Sequence, residues 1–101
     1  MTIYQTAHYQ LNSEAVDRVK AAIADFVDFV KANEPGTKVY AAWQHRGDPT
    51  KFVHLFEFVD EEANRLHGES EAIALFESVY RPELVGGPVE FTDYVVVATN
   101  Q

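Results

Sequence analysis

Two histidines stand where an imidazole could do acid–base work. His54 is the single polar side chain in the alternating run Phe52, His54, Phe56, Phe58, so it is expected in an apolar, partly desolvated place. Burial favours the neutral ring and leaves its basicity open to neighbours, which suits a general base for a phenolic hydroxyl. A core histidine satisfied by one hydrogen bond fits the same run and is the commoner case. His67 falls four residues after Ala63 on a short helix, so it can point inward beside the same strand, and Gly68 leaves room next to it. It serves either as a polar contact for a ligand or as a cap on bare helix carbonyls. Trp43, Phe52, Phe56, Phe58 and Tyr94 supply flat walls suited to an aromatic ligand, although most such residues are core. Tyr40 and Trp43 lie on opposite faces of one strand, so at most one of them faces a given cavity.

Other catalytic equipment is missing. Cysteine is absent, which removes disulfides, thiolate metal ligands and a cysteine nucleophile. His54 and Glu57 are three apart on a strand and hence on opposite faces. His45 can face His54 across a hairpin but brings no carboxylate at helical spacing. No zinc or facial-triad iron site is expected. Gly86-Gly87-Pro88 lacks the strand-to-helix setting of a phosphate loop, and Ser13, Ser70 and Ser78 stand in no nucleophile elbow. No bound cofactor is expected.

These residues must be positioned by four strands and two helical regions in the order βαββαβ. A first strand, about Thr2 to Leu11, precedes a helix capped by Asn12 or Ser13. In that helix Val16, Val19, Ile23, Phe26, Val27 and Val30 form one apolar stripe, and Pro35-Gly36 ends it. Strands over about Lys38–Arg46 and Lys51–Val59 flank the turn Gly47-Asp48-Pro49. Asp60 caps a short helix that Gly68 interrupts. Ser70 caps another, with Ala72, Leu75, Phe76, Val79 and Tyr80 on one side, and Pro82 stops it. A last strand is expected over about Val89 to Thr99.

The spacing therefore predicts a single α+β domain, ferredoxin-like, with a four-stranded antiparallel sheet. Its strands are apolar on both faces, and helices cover only one. A second copy of the sheet is the expected cover for the other, making a homodimer. The 101 residues suffice for one core, and no apolar run approaches the roughly 20 residues of a membrane span. The N-terminus shows no basic segment leading into an apolar one, so a cytoplasmic protein is expected. Net charge is −8, with the few cations scattered, which works against nucleic acid as a partner.

Taken together, Ala32-Asn33-Glu34-Pro35-Gly36-Thr37, the following strand with Tyr40, and Phe58-Val59-Asp60-Glu61-Glu62-Ala63 with His67 resemble the antibiotic biosynthesis monooxygenase superfamily. The tail Tyr80-Arg81-Pro82-Glu83-Leu84-Val85-Gly86-Gly87 with Phe91-Thr92-Asp93-Tyr94 is similar to one branch of that group. The resemblance implies a dimeric α+β barrel and, from some members, oxygenation of quinols or polyphenols to quinones without metal or flavin. It would make His54 the base or orienter, His67 a second polar contact, and Trp43 or Tyr94 pocket wall. It leaves two other roles open: a non-catalytic barrel binding a small hydrophobic ligand, and a haem-handling protein.

Overall fold

The computed structural model describes residues 1–101. In it β1 (Ile3–Leu11), α1 (Val16–Asn33), β2 (Thr37–Gln44), β3 (Lys51–Phe58), α2 (Glu61–Glu69), α3 (Glu71–Tyr80) and β4 (Leu84–Tyr94) follow one another. The strands form one antiparallel sheet in the order β2-β3-β1-β4, the ferredoxin-like arrangement. No helix is long and apolar enough to cross a membrane.

The helices pack where the periodicity directs them. Val19, Ile23, Phe26 and Val30 of α1 are buried against Tyr9, Leu11 and Phe52 of the sheet and Phe76 and Tyr80 of α3. Asn12 accepts from the Glu14 N–H at 3.0 Å and opens a short 3₁₀ turn, Ser13–Ala15, that leads into α1. Asp60 accepts from Ala63 N–H at 2.8 Å and Ser70 from Ile73 N–H at 3.1 Å, so both caps stand where the sequence puts them. On β3, Phe52, His54, Phe56 and Phe58 are all buried under the helices, while Val53, Leu55 and Glu57 look the other way and are only half-buried.

Four local expectations change. Gly68 lies inside the last turn of α2 rather than breaking it. Leu75 of α3 is exposed, and Ile73 turns inward in its place. β2 stops at Gln44, and His45 belongs to the hairpin turn, where its Nδ1 accepts from the N–H groups of Gly47 and Asp48 at 3.0 and 2.9 Å. Ala42, not His45, stands opposite His54. Finally, β4 begins before Gly86-Gly87-Pro88 and ends at Tyr94. Gly86 and Gly87 take φ of +76° and +109° beside a register shift between His8 and Gln10, a backbone that side-chain-bearing residues rarely adopt. Beyond Tyr94, which pairs with Tyr4, β1 offers almost nothing further to pair with.

Candidate active site

His54 is buried in the middle of β3, and both of its ring nitrogens are taken. Tyr9 Oη on β1 lies 2.6 Å from Nε2, and Tyr40 Oη on β2 lies 2.9 Å from Nδ1. The register explains this: Ala7 and Ala42 flank His54 directly, and the small side chains let the two tyrosines reach in from diagonal positions. Phe76 stacks over the imidazole, with ring centres 6.0 Å apart. Burial alone pushes His54 down to about 4; burial first, with lesser repulsion from neighbouring ionisable groups, holds the phenols of Tyr9 and Tyr40 well above their usual range.

His67 is placed differently. α2 sits close on the α1–β2 connection, because Gly36 has no Cβ; one added there would stand 2.7 Å from Ala63 Cβ. This approach brings His67 Nδ1 to 2.7 Å from Glu34 Oε1, which also accepts from Thr37 Oγ1 at 2.9 Å. The two side chains are only 8% and 10% exposed. Glu34 Oε2 is buried without a partner. A carboxylate only accepts, so Nδ1 of His67 carries the hydrogen, and in the neutral ring Nε2 is left as an acceptor. No protein group bonds Nε2.

A cavity of about 270 Å³ lies between the sheet and helices α2 and α3 and joins these groups. Tyr9, Tyr40, His54, Phe56, His67 and Phe76 line it, with Gln5, Asn64 and Glu77 as a partly exposed polar rim. Nowhere do three histidines or carboxylates converge so as to hold a metal ion.

A family model for antibiotic biosynthesis monooxygenases matches residues 2–77. The chain belongs to that family. No curated protein matches it in sequence. Among solved structures, a candidate antibiotic biosynthesis monooxygenase from Bacteroides thetaiotaomicron superposes with a TM-score of 0.90 at 15% identity, over 99% of this chain and 93% of the other. Rv0793 from Mycobacterium tuberculosis matches with a TM-score of 0.86 at 14% identity over 100% of both chains. SnoaB from Streptomyces nogalater, a cofactor-independent oxygenase solved as its N63A mutant, matches with 0.81 at 14% identity over 98% and 96%. At such identities these likenesses establish the fold.

In this antibiotic biosynthesis monooxygenase family member, the cavity gathers His54, His67 and Phe56 of the residues singled out in the sequence. Phe52 and Phe58 share their face but act as packing. Phe52 stacks on Tyr9 at 5.6 Å, and Phe58, fully buried, stands behind His67 at 5.3 Å. Trp43 and Tyr94 are not part of this cavity. Their registry with Val53 and with Tyr4 turns both onto the opposite face, where they are 60% and 53% exposed. Tyr9 and Glu34 were not singled out as site residues; nothing in the local sequence marks Tyr9, and Glu34 entered only as part of the stretch that closes α1.

His54 also makes stability depend on pH. In the unfolded chain an ordinary histidine takes up a proton near 6.5, whereas in the fold it does so only near 4. Between these values the unfolded state binds more protons, so the contribution is complete above pH 6.5 and is lost as pH falls to 4. The loss is about 3 kcal/mol. Tyr9 and Tyr40 face the ring directly, with His67, Glu77 and Tyr80 across the cavity. Urea midpoints measured from pH 7 to 4 should fall less steeply in His54→Gln, whose amide keeps one donor and one acceptor but takes up no proton. Equal slopes would contradict a buried neutral His54.

Proposed function

We propose that the protein is a cofactor-independent monooxygenase that converts a small hydroxylated aromatic to a quinone with O₂. The observation that carries this reading is the acceptor nitrogen of His67, backed by a buried carboxylate, on a residue that lines a largely apolar cavity. Glu34 stabilises the imidazolium that forms when His67 Nε2 takes a phenolic proton. The electron-rich phenolate gives one electron to O₂, producing an aryloxyl radical and superoxide, which join at a ring carbon. The resulting peroxide takes the proton back from His67. Loss of water then breaks the O–O bond and the C–H bond at that carbon, leaving a carbonyl. One phenol and one O₂ thus give one quinone and one water, and the apolar walls keep bulk water from the radical pair.

His54 takes a different part from the base that the sequence pointed to. Both of its nitrogens are occupied, and moving a proton from an ordinary phenol to an imidazole near 4 is uphill by about 8 kcal/mol. It acts as a positioning residue for Tyr9 and Tyr40. The cavity volume, near the lower end of the roughly 300–1,000 Å³ usual for drug-sized ligands, fits one or two fused rings and works against a haem macrocycle.

The open face of the sheet, with Val39, Trp43, Leu55 and Tyr94, serves on this reading as the surface that pairs with a second copy. Light scattering at micromolar concentration should give the mass of two chains, and the mass of one would remove the dimer. For the activity, oxygen uptake is followed with naphthols, dihydroxynaphthalenes and simple quinols after dialysis against chelator. Uptake that requires only the protein is expected. Binding of these compounds without uptake would leave a ligand-binding barrel in place of an oxygenase.

A further inference from the structure

The Tyr9–His54–Tyr40 relay leaves one hydrogen without a partner. Its three groups carry two phenolic hydrogens and, in the neutral imidazole, one N–H. Two of these make the two bonds to the ring, and neither hydroxyl bonds any other protein group. Whichever tautomer forms, one tyrosine is left with an O–H that donates to nothing in the protein. The bond lengths favour one arrangement. The 2.6 Å contact at Nε2 is short enough for a hydroxyl donor, and the 2.9 Å contact at Nδ1 is the usual length of an N–H···O bond. We therefore take the tautomer in which Tyr9 donates to Nε2 and His54 donates from Nδ1, which leaves the Tyr40 hydrogen free.

Tyr40 lines the cavity, and its ring stands 5.6 Å from that of His67, centre to centre. Around one cavity there are thus an unpaired acceptor, His67 Nε2, and an unpaired donor, the Tyr40 hydroxyl. We propose that Tyr40 is a further catalytic residue, whose O–H, held in place by Tyr9 and His54, binds the substrate oxygen that His67 deprotonates. This rests on the oxygenase reading for its chemistry but not for its geometry. Before proton transfer, Tyr40 donates to the neutral hydroxyl oxygen. Afterwards the same bond ends on a phenolate and becomes stronger, so it favours the ionised state. Burial keeps the Tyr40 phenol protonated, which preserves it as a donor when the phenolate forms. The substrate class follows: a mono- or bicyclic phenol with its reacting hydroxyl on a free edge, able to meet a donor and a base together.

The test uses 4-nitrophenol, whose phenolate is distinguished from the phenol by its colour. The parent protein should bind the phenolate in preference to the phenol. Tyr40→Phe, which keeps the ring and its packing, should lower phenolate affinity by about 10- to 100-fold while changing affinity for the neutral phenol little. Tyr9→Phe should act in the same direction and by less, because His54 is then free to turn toward the Tyr40 hydrogen. A parent protein with no preference for the phenolate, or a Tyr40→Phe variant that binds it as tightly, overturns the assignment. The two readings separate cleanly. Loss of phenolate affinity in Tyr40→Phe with no turnover of any phenol by the parent would sink the oxygenase and keep the donor. Turnover that needs His67 but is untouched in Tyr40→Phe would do the reverse.

Discussion

Replacing His67 by Gln should lower kcat for a phenolic substrate by about 10³-fold while leaving the urea midpoint nearly unchanged. Glutamine is close to histidine in size and can still give an N–H to Glu34, so the buried pair at the start of β2 stays satisfied. What disappears is the acceptor nitrogen on the cavity side. General bases contribute about 10²- to 10⁴-fold, and no neighbouring group replaces this one. The nearest imidazole, His54, has both nitrogens engaged and is kept near 4 by burial. Steady-state oxygen uptake checks the result, with denaturation as the control for folding. A variant that retains a tenth of the parent rate would remove His67 as the base. Equal loss in His54→Gln would return that role to His54.

The second large effect falls on stability. Phe58 is completely buried at the end of β3, stacked on Phe56 with ring centres 6.0 Å apart and packed behind His67. Phe58→Ala should cost about 3–5 kcal/mol, from lost burial and a cavity that the paired strands on either side cannot close. For a domain with about 5–15 kcal/mol in total, that is a large share. With a urea m-value of about 1–3 kcal/mol/M, the midpoint should drop by more than about 1 M. Leu75→Ala also removes a large apolar side chain, but from an exposed site on α3, and should leave the midpoint close to its parent value. If Phe58→Ala moved the midpoint no further than Leu75→Ala, the assignment of the core would be wrong.

Much of the fold was legible because its signals are local. The stripe of α1 and the caps Asp60 and Ser70 follow from steps of three and four and from short oxygen-bearing side chains, and each lands where expected. The errors arose where local chemistry and pairing disagree. Gly86-Gly87-Pro88 has turn composition, yet β1 supplies partners on both sides of it, and the glycines absorb the irregularity inside a continuing strand. Trp43 has the size of a core residue, but registry with Val53 puts it on the uncovered face. Alternation along a strand separates two faces without saying which one the helices cover.

The site was legible only in its histidines. His67 meets Glu34, 33 residues away, through a close approach at Gly36 that no periodicity encodes. Tyr9 and Tyr40 reach His54 from neighbouring strands, and their contact depends on a register that a one-residue slip would abolish. Composition announced an apolar place for His54 and could not show that its nitrogens are both occupied, the observation on which His67 is proposed as the base in its place.

The most direct test of that chemistry is to run the reaction under ¹⁸O₂ with a naphthol that is consumed and to weigh the product. The proposed mechanism predicts one labelled oxygen in the quinone and the other in water, with no hydrogen peroxide released. An unlabelled quinone, or peroxide formed one for one with product, would mean that O₂ only removes electrons, and the account of a monooxygenase would fail.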